Sequence, residues 1–417
     1  MSLTAVVHRL RAGTALLLLA AVVAGCSLLE HSRPASTTLS DEQLAADPPI
    51  VVPPAPVAPE VWGRRGDIVA QQPFTDLTED LRDATEAPMR ATYRSVSAAT
   101  GAQTEVSGSF FLPKGEPPQG GWPVVALAHG TTGLGTDCDL SSRQDLFGYW
   151  GAVKAVLSVG YAVALSDYEG LGLPGRHPYL EPKTAAFNTV DAVRAMRRLY
   201  PSVSTRWLAY GISQGGQAAW ATAELNGTYG DGLELVGAVA LSPAADIVGL
   251  SELAYEKRLS QEQLMVTPMV IDGLSRYDPS ISIATYVRGA ALQRLPKLVG
   301  CNPEANRLRG ETIRPTDVGP TTTVEANVLT DALRRIALPQ RPLTVPMLVL
   351  NGLRDQTILP DWVTLAVARS CRLGGIIEHR EDPNAGHADL MPGPAVAEWV
   401  TDRFAGKTPQ STCPGAT

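Results

Sequence analysis

The run "RWLAYGISQGGQAAWATAEL", Arg206 to Leu225, changes character at its eighth residue. Before Ser213 it is an apolar stretch of strand length; after it comes an alanine-rich stretch of helix length. At the junction, Gly211 to Gly215 spell G-I-S-Q-G and match G-x-S-x-G in the strand-turn-helix setting that gives this short pattern meaning. A serine on such a turn is held in a strained conformation, and small flanking residues let strand and helix approach closely. Gly211 and Gly215 meet that need, so Ser213 is a candidate nucleophile.

The same alternation extends to both sides. Two strands, "MRATYRSVSA" from Met89 and "EVSGSFFLP" from Glu105, come first. Then strand "PVVALAHG" is followed by helix "DLFGYWGAVKAVLSVG", strand "YAVALSDYEG" by helix "AAFNTVDAVRAMRRLY", and the serine unit by strand "LVGAVALSPA". Strands apolar on both faces, each followed by a helix, imply a parallel sheet covered by helices, and hence an α/β fold. From Asp246 to Gln340 the alternation stops, and "LSELAYEKRLSQEQLM" and "EANVLTDALRRIAL" read as helices with no apolar strand between them. It resumes with "VPMLVLNG", "GIIEHRED" and the amphipathic helix "PAVAEWVTDRFA". The expected organisation is therefore a core of residues 63–245 and 341–417 interrupted by a helical cap at 246–340.

A serine hydroxyl needs a base, and in this kind of fold the histidine comes last in chain order. Of six histidines, His8 and His31 lie in N-terminal segments, His129 and His177 come too early, and His379 falls inside a strand. His387, in the glycine- and proline-rich loop "DPNAGHADLMPGP", remains. The carboxylate that would orient it is Asp355, on the loop after the strand at Val345, where catalytic groups gather in open parallel sheets. Asp382 and Asp389 flank the histidine and read as loop caps. The order Ser213, Asp355, His387 is that of the α/β-hydrolases. Two backbone amides should face the developing oxyanion: that of Gln214, at the start of the helix, and that of Thr131, after the H-G of "AHGTTG".

The N-terminus adds an address. Arg9 and Arg11 precede "ALLLLAAVV", far shorter than the roughly 20 residues that span a bilayer, so residues 1–25 read as an export signal. It ends in "VAGC", a lipobox pattern that makes Cys26 the expected lipidation site and the membrane an expected partner, the alternative being a plain signal peptide and a secreted protein. Residues 26–62 are rich in Pro, Ser and Thr and read as a stiff tether. A net charge of -7 without a basic stripe argues against nucleic acid. Beyond Cys26 stand Cys138, Cys301, Cys371 and Cys413, an even set in an exported chain with three possible pairings and no zinc spacing.

Together "AHGTTG" with the later "TDC", "GYAVALSDYEGLGLPGRHPYL", "GISQGG", "NGLRDQTILP" and "AGHADL" make the chain resemble the secretory lipase family from about Gln71 to Cys413. The resemblance implies a capped α/β-hydrolase with Ser213, Asp355 and His387 as triad and Thr131 and Gln214 at the oxyanion positions. It also implies disulfides pairing Cys138 with Cys301 and Cys371 with Cys413. The chain departs from yeast members at Thr131, where they carry aspartate, and at Gln214, where they carry glycine.

The expected function is an exported serine ester hydrolase, a lipase or carboxylesterase acting on small-molecule or lipid esters without metal or organic cofactor. The alternatives are an acyltransferase or peptidase on the same fold, or a non-catalytic lipid-binding lipoprotein.

Overall fold

The computed structural model describes residues 33–34 and 39–415, so the expected export signal, Cys26, His8 and His31 lie outside the described residues. Ten strands form one sheet: β1 (Arg33–Pro34), β2 (Ile68–Pro73), β3 (Thr85–Val96), β4 (Gln103–Pro113), β5 (Trp122–Ala128), β6 (Ala162–Ser166), β7 (Val203–Ile212), β8 (Glu234–Leu241), β9 (Met347–Gly352) and β10 (Ile377–Asp382). Their order is β1-β10-β9-β8-β7-β5-β6-β4-β3-β2. The six strands from β6 to β10 in that order are mutually parallel, and the three at the far edge are antiparallel.

The period of two along each strand sorts the core into layers. Val125 and Leu127 of β5 face a layer with Leu208, Val239 and Leu348, closed by the helices Trp150–Ser158 and Pro394–Phe404. Val124 and Ala126 face the opposite layer with Ala209, Ala238 and Val349, closed by Pro182–Leu199, Gln214–Tyr229 and Pro360–Arg372. Alanines dominate the second strand face, which lets those helices lie close to the sheet.

Between β8 and β9 the described chain adds no strand to the sheet. The segment carries the helices Leu250–Tyr255, Gln261–Leu274, Pro303–Thr312 and Thr323–Ile336 with shorter turns between them. The single helix expected from Leu250 to Met265 is broken at Lys257, whose φ is 61°, and restarts where Ser260 and Gln263 form a reciprocal capping box. The helix expected from Asp145 likewise starts only at Trp150, after a short 3-10 turn in which Phe147 has φ 53°. Strand β2 was not anticipated; five of its six residues are exposed at the sheet edge, so it lacks the apolar run that marks a buried strand.

The tether expectation needs correction over residues 39–62, which are fastened to the domain. Ser40 caps a short helix, Asp41–Ala45, whose Leu44 is buried. The Arg369 guanidinium donates to the carbonyls of Leu44 and Ala46 while pairing with buried Asp246. Further along, Ile50 N donates to Arg334 O, Arg334 Nε to Pro48 O, and Ala55 N to Ala98 O. Prolines cannot donate, but their carbonyls and neighbouring amides can dock on a partner surface, and composition does not register that.

Both disulfides are formed as the family resemblance implies, Cys138 with Cys301 and Cys371 with Cys413, at Cα separations of 5.5 and 5.4 Å. The first joins the loop after β5 to the helical insertion; the second fastens the C-terminal tail to the helix Pro360–Arg372.

Candidate active site

Ser213 sits where β7 ends and the helix Gln214–Tyr229 begins, with φ 58° and ψ -118°, a conformation non-glycine residues rarely adopt. The turn is held from three sides: Ser213 N donates to Leu241 O, and Ser213 O accepts from Gln217 N and Ala244 N. Close approach dictates the glycines. A Cβ on Gly211 would lie 2.1 Å from Gly215 O, and one on Gly215 would lie 1.8 Å from Ala128 O.

His387 reaches the serine from the loop after β10, with Nε2 3.0 Å from Ser213 Oγ. Its Nδ1 is 2.7 Å from Oδ2 of Asp355, which is buried on the loop after β9. The other oxygen of Asp355 accepts the amides of Thr357 and Ile358, both at 2.8 Å, so the carboxylate cannot swing away from the ring. Asp389 and Asp382 act as local caps, accepting from Gly386 N and Asn384 N. His379 is buried in β10, donating from Nε2 to Asn351 Oδ1, and burial holds it down at about 4.

Gln214 N stands at the open end of its helix, and among the described residues neither it nor Thr131 N has an acceptor. Residues that sequence reasoning passed over hold both positions. The Gln214 side-chain Nε2 donates to His177 Nε2 at 2.8 Å, and His177 Nδ1 donates to Glu169 O at 2.8 Å. Burial pushes His177 down to about 3, which keeps Nε2 free as an acceptor. Thr131 Oγ1 lies 2.6 Å from the hydroxyl of Tyr179, which burial pushes up to about 12. Tyr149 takes the amide of Gly130 at 2.6 Å. These partners lie 19 to 48 positions away in sequence without a shared motif; the one visible signal is the density of polar and aromatic residues in "SDYEGLGLPGRHPYL".

A cavity of about 490 Å³ opens onto Ser213, His387 and Thr131. The segment between β8 and β9 gives it apolar walls, among them Ile247, Leu250, Met265, Val266, Met269 and Val270. Such a space admits an extended apolar group beside the serine hydroxyl.

A mostly parallel sheet with a strained serine after its central strand, approached by a histidine and an aspartate from the ends of later strands, defines an α/β-hydrolase. The chain belongs to the secretory lipase family, whose profile matches residues 150–412. A relative from Mycobacterium tuberculosis, named a "probable inactive lipase", is 30% identical over 270 residues. The match takes in 61% of this chain and 58% of that protein, so the chain spans little more than half the relative's length. Among solved structures, Candida antarctica lipase A in its closed state is similar with a TM-score of 0.69 at 16% identity, over 85% of this chain and 86% of that one. The rice cell wall degrading esterase LipA from Xanthomonas oryzae is similar with a TM-score of 0.59 at 19% identity, over 82% of this chain and 96% of that one. At these identities the likeness is one of fold.

Proposed function

We propose that this protein is an extracytoplasmic carboxylic-ester hydrolase, held at a membrane by lipid on Cys26, that cleaves esters, acylglycerols among them, through an acyl-enzyme on Ser213. The observation that carries this is the unbroken line Ser213 Oγ, His387, Asp355, with contacts of 3.0 and 2.7 Å. His387 removes the hydroxyl proton as Ser213 attacks the ester carbonyl, then returns it to the departing alcohol. Asp355 fixes the ring so that Nε2 faces the serine and stabilises the imidazolium. The amides of Thr131 and Gln214 hold the tetrahedral oxyanion, and water, activated by the same histidine, releases the acid. Residues 246–340 act as a cap whose apolar walls receive the acyl chain. Two disulfides suit an oxidising compartment outside the cytoplasm.

A fluorophosphonate probe should label the purified protein at Ser213, and Ser213→Ala should abolish labelling and lower kcat by about 10⁵-fold or more toward aryl esters. The name of the mycobacterial relative favours a second reading, a lipid-binding protein without turnover. No labelling of a folded wild type, with retained binding of long-chain esters, would establish that reading instead.

A further inference from the structure

The cavity beside Ser213 contains a cation that the ester chemistry above does not use. Arg309, on the helix Pro303–Thr312, lines the cavity and is only 6% exposed, yet among the described residues it pairs with no carboxylate. Its Nη1 is committed to the fold, donating to Leu298 O at 2.6 Å and Gly300 O at 3.0 Å. One hydrogen of Nη2 goes to Asn306 Oδ1. The Nε hydrogen and the second Nη2 hydrogen have no acceptor among the described residues, and these two nitrogens form one edge of the guanidinium. Holding two backbone carbonyls and the Asn306 side chain therefore accounts for three of five donors, and among the described residues the charge is left without a carboxylate counter-ion.

A guanidinium cannot escape burial by losing its proton. A buried charge without a partner is costly, and the cost is recovered when a ligand brings the opposite charge. Two open donors on one planar edge match a carboxylate, which an arginine grips with parallel hydrogen bonds. A phosphate dianion fits less well, since a single positive charge faces its two negative ones. Met269, whose Sδ lies 3.8 Å from Nη1, continues the wall with Val266 and Val270, so the surface around the charge is apolar.

We propose that the cavity selects esters whose apolar acyl chain ends in a carboxylate, with Arg309 gripping that carboxylate while the ester carbonyl lies at Ser213. The proposal rests on Ser213 being the reacting residue for its kinetic consequence, but not for the binding itself.

The test has two arms. Half-esters of dicarboxylic acids with 4-nitrophenol, in a series from four to ten carbons, are compared with 4-nitrophenyl esters of the methyl-ended acids of equal length. The wild type should show a kcat/KM ratio of about tenfold or more in favour of the charged substrate at one chain length. Arg309→Gln should bring the ratio to one or below, and Arg309→Lys should keep part of it. Because each ratio is taken within one variant, a general loss of folded enzyme cancels. The second arm uses Ser213→Ala and calorimetric binding of monomethyl against dimethyl suberate, with and without Arg309→Gln. Tighter binding of the monoanion that depends on Arg309 supports the subsite even where neither substrate is turned over, in which case the hydrolase proposal alone falls. A ratio near one in the wild type at every length, equal affinities, or a preference untouched by Arg309→Gln would overturn it.

Discussion

At the scale of single residues, the candidate site is braced by a buried neutral histidine that does not line its cavity. His177 is buried between Glu169 O and the side-chain amide of Gln214, and a second proton on its ring would set an N–H against the Gln214 Nε2 hydrogen it now accepts. Burial holds it at about 3, against about 6.5 in an unfolded chain. Below pH 6.5 the unfolded chain gains a proton that the folded chain refuses, so stability falls as the pH drops from 6.5 toward 3. Urea unfolding at pH 7 and pH 5 should therefore show a shallower pH dependence in His177→Gln than in the wild type, by up to about 1.4 kcal/mol per pH unit. Parallel curves would show that His177 does not titrate on unfolding in that window. Chain order and elimination among six histidines were enough to bring Ser213, Asp355 and His387 into view. They could not reveal His177 as the partner of Gln214, because that contact joins a loop to a helix start across 37 positions with no pattern to mark it.

At the scale of elements, the serine turn works only because β5, β7 and the following helix nearly touch. Gly215→Ala would place a methyl group against the carbonyl oxygens of Ala128 and His129, both backbone atoms that cannot step aside. A loss of about 3 kcal/mol or more in unfolding free energy is expected, with activity lost alongside. Gly151, in the helix Trp150–Ser158, has open space around its Cβ position, so Gly151→Ala should be neutral or stabilise by up to about 1 kcal/mol. Strand-helix alternation was legible because largely buried strands such as β5, β6 and β8 must be apolar on both faces. Element ends were less so: the breaks at Lys257 and Phe147 are local backbone reversals at residues with no special turn preference. Edge strand β2, mostly exposed, carries only the short apolar start Ile68 to Ala70.

At the scale of the whole molecule, residues 39–62 are fastened to the body by several contacts, of which one buried pair is the most central. Arg369 meets Asp246 at 2.5 Å while holding two carbonyls of the segment, so it bridges the sheet layer, the start of the insertion and the strap. Arg369→Met would strand Asp246 inside and free the strap, at about 3 kcal/mol, with proteolysis between Asp41 and Glu60 accelerating well before the body unfolds. Unchanged cleavage would mean that the backbone contacts at Ile50 and Ala55 hold the segment unaided. The strap also sets a distance. A free run from residue 26 to 62 could stretch beyond about 100 Å, but the pairing of Arg33 with β10 leaves seven peptide steps from Cys26, at most about 25 Å. With the lipid on Cys26 proposed above, so short a leash would hold the domain close to the membrane, and the esters within its reach would be those that come to that surface.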